Sequence, residues 1–283
     1  MTTSLPDVLF VGPQRCGTTW VHEYLANHPG VQLPVGTKET FFFDRHFGRG
    51  EAWYRSHFPA TSPADAWPVR ICEVAPTYFH HPEAPQRVAT LLGKPQVVIT
   101  LRDPASRAFS LFLHERRKAR VPATFEAALD AAPFILDSSC YARHVARWVN
   151  RFGEDQVRIV FQDDLRLDAD AYAAELCRFM GIGVLPVPAN LEGPTNEASV
   201  PRSQALAALG RSTADLLRRY RLYAPVQAAK RMGLKSMFFG LEGSGSVPVM
   251  SAEMRRGFIA RVLLEIEALE RMTDRDLSSW KAA

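Results

Sequence analysis

Residues 8–20 read Val-Leu-Phe-Val-Gly-Pro-Gln-Arg-Cys-Gly-Thr-Thr-Trp, and the fold turns on how that stretch must run. Val8 to Val11 is short, apolar and partly β-branched, which predicts a buried strand. Gly12 and Pro13 end it, and a turn containing Gly17 leads into a helix that begins near Thr18. A strand, a loop and a helix N-terminus together gather unpaired backbone N–H groups around an anion. Arg15 puts a fixed positive charge inside the loop, and Thr18 and Thr19 add hydroxyl donors. The plain alternative is an ordinary strand-to-helix turn with Thr18 as N-cap. Glycine, arginine and two threonines in one tight turn favour the anion cradle.

Working outward, a helix over about 18–28 gives way at His28-Pro29-Gly30. Thr37-Lys38-Glu39-Thr40-Phe41-Phe42-Phe43-Asp44 follows, and its three phenylalanines should be largely buried, fixing Lys38 and Glu39 in place. A lone Lys-Glu pair is ordinarily a weak surface pair. A carboxylate beside a packed aromatic run and an anion loop is equally a candidate general base. Residues 45–68 are aromatic, irregular and proline-containing, either a packed loop or one wall of a cleft. Strands are expected over Arg70 to Val74, Gln96 to Leu101 and Val157 to Phe161, alternating with helices over about 104–118, 139–152 and 163–179. His80 and His81 read as a surface feature at a helix start, and Glu115 to Arg120 as a solvated helix end. From 203 onward the pattern is helical (203–220, 222–232, 251–272) and basic, with Met237-Phe238-Phe239 beside it. Such helices either present a solvated face or lie on a membrane surface.

This alternation predicts an α/β fold with a central parallel sheet flanked by helices, similar to P-loop nucleotide-binding proteins, and a helical C-terminal extension. Residues 1–283 form one domain in this reading, with an α/β core over 7–181 and an extension over 203–283 that covers the acceptor cleft. The net charge of +4 suits an anionic ligand but lacks the basic stripe that nucleic acid would require. Cys16, Cys72, Cys140 and Cys177 are scattered, with no metal-ligand spacing, and read as reduced thiols of a cytoplasmic protein. No metal is expected. The start of the chain lacks the basic segment and apolar core of a signal peptide, and no apolar run approaches the ~18 residues of a membrane span.

A second anion site is expected where the strand ending at Leu101 meets Arg102-Asp103-Pro104, because open α/β sheets bind ligands at strand C-termini. Ser110 and His114 share one face of the helix that follows. Two separated anion sites imply a nucleotide phosphorylated at both ends. An ATP-dependent kinase is the rival: the Gly-x-x-x-x-Gly-Lys-Ser/Thr loop would carry lysine where this chain has Thr18, and would need a Mg²⁺ ligand at a strand end. A nucleotide-binding protein without catalysis is the other rival.

Gly12 to Trp20, followed about 90 residues later by Leu101-Arg102-Asp103-Pro104-x-x-Arg107-Ala108-Phe109-Ser110, resembles the two nucleotide motifs of sulfotransferases that use 3′-phosphoadenosine-5′-phosphosulfate (PAPS). Lys38-Glu39-x-x-Phe42-Phe43-Asp44 and Glu73-Val74-Ala75-Pro76-Thr77-Tyr78 are similar to segments of the heparan-sulfate-type and bacterial carbohydrate members. The resemblance spans about 7–181, with a weaker echo at Asn196–Ser203. It implies that Arg15, Cys16, Gly17, Thr18, Thr19 and Trp20 hold the 5′-phosphosulfate, that Arg102 and Ser110 hold the 3′-phosphate, and that Arg202 joins the nucleotide site. It implies Glu39 as the base for the acceptor hydroxyl, with His114 as second candidate, PAP (adenosine 3′,5′-bisphosphate) as the product, and a saccharide or small-metabolite acceptor. Two departures stand out: Arg15 replaces a common lysine, and Val74 replaces the lysine expected after Glu73. Lys38 is the hypothetical substitute.

Overall fold

Val8–Phe10 forms β1, the centre of a five-stranded sheet in a computed structural model that describes residues 5–59, 69–191 and 248–282. Arg70–Val74 (β3) flanks it on one side and Gln96–Leu101 (β4) on the other. Val31–Gln32 (β2) lies outside β3 and Val157–Phe161 (β5) outside β4, giving the order β2-β3-β1-β4-β5. All four pairings are parallel, with Phe10 opposite both Val74 and Val98, and Leu101 opposite Phe161. The four longer strands match the sequence expectation. The two-residue β2 escaped it, being too short to show a period.

Strand side chains alternate between two buried layers, as a sheet covered on both faces requires. Leu9, Val97 and Ile99 face Phe79, Phe112 and Trp148. Val8, Phe10 and Val98 face Trp20, Tyr172 and Leu176. The chain crosses from the β3 side of β1 to β4, so the C-terminal ends of β1 and β4 form a switch point where a cleft opens. Gly12 is required there: a Cβ on it would lie 2.2 Å from Thr100 Oγ1 and 2.4 Å from the Thr100 backbone N and O.

The long C-terminal helix, Ala252–Thr273, buries Phe258, Ile259, Val262, Ile266 and Leu269. It joins the same apolar layer as helix Tyr141–Phe152 and helix Pro104–Arg117. It is thus part of the core, and only its first turn and the residues before it reach the cleft expected to lie beneath the extension. The expected helices at 203–220 and 222–232, the basic run to Lys235 and Met237-Phe238-Phe239 lie outside the described residues. Among the described residues no helix is long and apolar enough to cross a membrane, and no histidine, cysteine or carboxylate group clusters as metal ligands would.

Several local expectations change. Phe42 and Phe43 are buried, but Phe41 is only half-buried, because its left-handed backbone (φ 53°) turns it outward under the Arg45 guanidinium. The described part of 45–68 includes a helical turn at Glu51–Arg55. The stretch expected as one helix over 163–179 breaks into Gln162–Leu167 and Ala169–Met180, because Asp168 caps the second by accepting the Ala171 N–H. Glu115 is buried and ion-paired with Lys118 and Arg120, not solvated. The His80 ring packs edge-on 6.4 Å from His144, and burial pushes its pKa down to about 4, so it is no surface histidine.

Candidate active site

The loop after β1 owes its shape to two left-handed residues, Arg15 (φ 75°) and Gly17 (φ 84°). Gly17, not Thr18, is the N-cap of helix Thr18–Ala26, and no side chain caps that helix. Its first-turn N–H groups and their dipole therefore remain directed at the cleft. The left-handed turn costs a non-glycine residue about 1 kcal/mol, and at Arg15 it accompanies a specific contact. Arg15 Nε donates to Ser110 Oγ at 2.9 Å across 95 residues of sequence. The two motifs that the sequence placed apart are in direct contact.

Arg102 completes the join. Its Nη1 donates to the Arg15 carbonyl at 3.4 Å, and its own carbonyl accepts the Tyr141 hydroxyl at 2.9 Å. Its Nε is buried with no partner among the described residues. Burial lowers the pKa of both Arg15 and Arg102, and neighbouring positive charges lower them further: Arg117 and Arg102 at Arg15, Arg166 at Arg102. Crowded, half-desolvated guanidinium groups without a paired carboxylate are stabilised by an anion. Cys16 lies buried beneath the loop, its Sγ 4.0 Å from the Tyr141 hydroxyl, and burial pushes its thiol up to about 11. It stays a neutral packing group and is not a reactive thiolate. Trp20 stacks on Tyr24 at 5.4 Å and donates its indole N–H to the Leu191 carbonyl, closing the side of the cleft.

Glu39 and Lys38 line the same cleft as this loop, and the cleft's volume is about 920 Å³. Lys38 Nζ donates to Thr19 Oγ1 at 3.1 Å. A buried carboxylate holds their segment in place: Glu73 Oε1 accepts the Thr40 N–H at 3.0 Å and the Thr40 hydroxyl at 2.6 Å, while Tyr54 and Tyr78 also donate to Glu73. Val74, where a family lysine was expected, is fully buried in the sheet and sends no cation into the cleft. Lys38 brings an amine to the cleft instead. Burial raises Glu39 to about 7, with Lys38 pulling it back down and Glu73 pushing it up. His114 lines the same cleft, and burial, together with Lys118 and Arg15, lowers it to about 4. Glu39 is therefore poised near neutrality, whereas His114 stays neutral and weakly basic there.

Asp103, the strand-end carboxylate a kinase would turn toward magnesium, is already committed. It accepts the Ser106 N–H at 2.7 Å as helix N-cap and both Nη atoms of Arg255 at 2.8 and 2.9 Å. Of the predicted site, Arg15, Gly17, Thr18, Thr19, Trp20, Lys38, Glu39, Arg102, Ser110 and His114 all line one cleft, and Cys16 lies just beneath it. Arg202 lies outside the described residues. Gln162, Arg117, Arg166 and Arg255 also line the cleft, and the sequence assigned them no part. Gln162 had one available signal, its position at the C-terminal end of β5; its Oε1 is buried without a partner and its side chain lies beside Gly17.

Comparison with known proteins gives the site a family. Residues 5–197 match the model of the sulfotransferase domain. The human bifunctional heparan sulfate N-deacetylase/N-sulfotransferase 3 is 32% identical over 197 residues, covering 63% of this chain and 22% of that protein. The Caenorhabditis elegans bifunctional heparan sulfate N-deacetylase/N-sulfotransferase 1 is 29% identical over 200 residues, covering 65% of this chain and 23% of that one. The chain thus spans less than a quarter of the length of these curated relatives. The crystal structure of a sulfotransferase from Alicyclobacillus acidocaldarius shares the fold, with a TM-score of 0.68 at 20% identity over 98% of this chain and 99% of that one. With the family model matching well over half of its length, this chain belongs to the sulfotransferase domain family.

Proposed function

We propose that the chain transfers the sulfuryl group of PAPS to a hydroxyl of a saccharide or small-molecule acceptor. One observation carries the reading: the β1 loop meets the helix after β4 through Arg15 and Ser110, beside an Arg102 whose Nε has no partner among the described residues. Those residues fit a doubly phosphorylated nucleotide. Arg15, the Gly17–Thr19 turn and Lys38 would hold its 5′ end, and Arg102 with Ser110 its 3′-phosphate. PAPS would supply an activated sulfuryl group attached to a phosphate leaving group.

The remaining chemistry belongs to the protein. Glu39, ionised above about pH 7, takes the proton of the acceptor hydroxyl onto its carboxylate as the oxygen becomes nucleophilic. Arg15 and the uncapped helix N-terminus stabilise the charge that builds on the departing phosphate. A guanidinium does this by charge and fork geometry and keeps its proton. Lys38, whose pKa burial lowers, is the better proton donor on that side and is held there by Thr19. Both sides of the transfer are thus supplied by groups fixed before substrate arrives, which is where most of the rate advantage of such sites originates.

Similarity to the heparan sulfate enzymes supports a saccharide acceptor. The commitment of Asp103 to Arg255, with Thr18 in the lysine position, counts against ATP-dependent phosphoryl transfer. The test is binding of adenosine 3′,5′-bisphosphate against ATP with Mg²⁺, followed by transfer of labelled sulfate from PAPS to a panel of sugars, amino sugars and small alcohols. Preference for ATP with Mg²⁺ would refute the assignment. Labelling only of amines would move the acceptor from oxygen to nitrogen.

A further inference from the structure

One charged contact ties a distant part of the chain to the anion site. Asp103 directly follows Arg102, and Arg255, near the start of helix Ala252–Thr273, grips its carboxylate through both Nη atoms. The rest of the guanidinium is also engaged: Nε donates to the Ala282 carbonyl at 2.8 Å and Nη2 to the Trp280 carbonyl at 3.1 Å. The two side chains are only 21% and 15% exposed, so solvent screens the pair weakly. Arg255 lines the cleft itself.

The electrostatics say what the contact achieves. Asp103 acts on the Arg102 guanidinium as an attractive charge. Without a partner, its carboxylate would compete with any bound phosphate for Arg102 and cancel the positive charge an anion needs. Engaged by Arg255 through two parallel bonds, Asp103 is neutralised in place, and Arg102 Nε keeps no acceptor among the described residues. On the donor-site reading above, we propose that Arg255 is a positioning residue for donor binding: it sequesters Asp103 from Arg102, so that the C-terminal segment completes the donor's anion site. A second clasp on the same tail supplies a comparison. Arg275 grips Asp164 through two bonds of 2.7 Å, and the Trp280 indole donates to Asp163 at 3.0 Å, fastening the tail beyond β5. The Arg275–Asp164 pair tethers the tail without touching Asp103 or Arg255.

Calorimetric titration of the full chain with adenosine 3′,5′-bisphosphate, alongside its melting temperature, tests the proposal. Arg255→Met should weaken binding about tenfold or more, the scale expected when one member of a partly buried charge pair is removed. Asp103→Asn, which keeps a capping side chain but removes the competing charge, should bind at least as tightly as the parent. The double variant Arg255→Met/Asp103→Asn should recover to within about threefold of it, because nothing then competes for Arg102. Asp164→Asn should lower the melting temperature while leaving affinity within about twofold. A double variant no better than Arg255→Met would mean a mere brace and overturn the proposal, as would unchanged affinity in Arg255→Met. Should Arg255→Met fail to fold, Asp103→Asn decides alone: affinity at or above the parent supports the proposal and a tenfold loss overturns it. A parent protein that binds no bisphosphate overturns the donor-site reading and this proposal together; one that binds it isolates the failure of either.

Discussion

Replacing Glu39 with glutamine should stabilise the fold at neutral pH and above while slowing transfer about 100-fold or more. Burial raises the Glu39 carboxyl from its ordinary 4.5 to about 7, so the folded protein ionises it only against resistance. At about 1.36 kcal/mol per pH unit that resistance approaches ~3 kcal/mol, and residual solvent contact trims it to roughly 1–3 kcal/mol. The sign follows from linkage. Below pH 4.5 the group is protonated in folded and unfolded chains alike, and glutamine gains nothing. Between 4.5 and about 7 the unfolded chain releases its proton first, so the parent protein loses stability relative to the variant. Above about 7 the difference is constant and at its largest. Thermal melts of both proteins from pH 4 to 9 should show midpoints that coincide at the acid end and separate by several degrees at pH 8, at roughly 2–4 °C per kcal/mol for a protein near this size. The melts need no knowledge of the acceptor. In PAPS-dependent transfer, kcat/KM of the parent should rise through about pH 7, and Glu39→Gln should lose that rise with about 100-fold or more of the rate. Midpoints that differ equally at pH 4 and pH 8 would refute the burial argument. A rise near pH 7 that survives in Glu39→Gln would remove Glu39 as the base.

Other residues give sharp outcomes. Arg15→Met should weaken adenosine 3′,5′-bisphosphate binding about 100-fold, and Ser110→Ala about fivefold, because the second removes a neutral hydroxyl and the first a charge; equal losses by titration would contradict that division. Lys38→Ala should lower kcat more than it raises the KM for PAPS, since its amine is assigned to the transition state; an unchanged kcat would remove Lys38 from the mechanism. Gly12→Ala should cost ~3 kcal/mol or more, because the new Cβ would lie 2.2–2.4 Å from Thr100 atoms; soluble protein with a parental urea midpoint would show that β1 and β4 can part there. His114→Ala should leave the pH profile near neutrality unmoved, because burial already holds that imidazole at about 4; a shifted limb would reopen it as the base.

The parallel sheet was legible because its strands are short continuous runs of apolar residues bounded by turn formers, as in Gln96 to Leu101 before Arg102-Asp103-Pro104. The turn after β1 was legible for a related reason: glycine between an apolar strand and a helical run dictates a left-handed turn and a helix start. What Arg255 and Glu73 do was not legible, although the segment beginning at Glu73 is singled out by its resemblance. Each acts through a partner distant in the chain, Arg255 on Asp103 across 152 residues and Glu73 on Thr40 across 33. A buried carboxylate that orders a turn has the same local signature as an exposed one in a strand. Phe41 illustrates the same point in reverse: composition called for burial, but its left-handed φ turns the ring outward.

The absence of lysine at position 18 and the commitment of Asp103 become one fact when charge is followed through the cleft. A P-loop kinase divides its work between a lysine on the phosphates and a carboxylate that brings in a divalent cation. Here the carboxylate is bound by Arg255, the loop charge is carried by Arg15, and Arg102 stands where the next strand ends. Arginine suits that division, because its fixed charge and fork hold phosphate oxygens while its proton stays in place. The cleft thus gathers permanent positive charge, which on the proposed function meets a doubly phosphorylated nucleotide, and Glu39, its carboxyl raised to about 7, lines the same cleft. A phosphoryl-transfer site must also manage a metal ion and its carboxylate ligands. Here the strand-end carboxylate, Asp103, is held by Arg255 and the Ser106 N–H, and the mechanism proposed above asks the remaining groups only to remove one proton and stabilise one leaving phosphate.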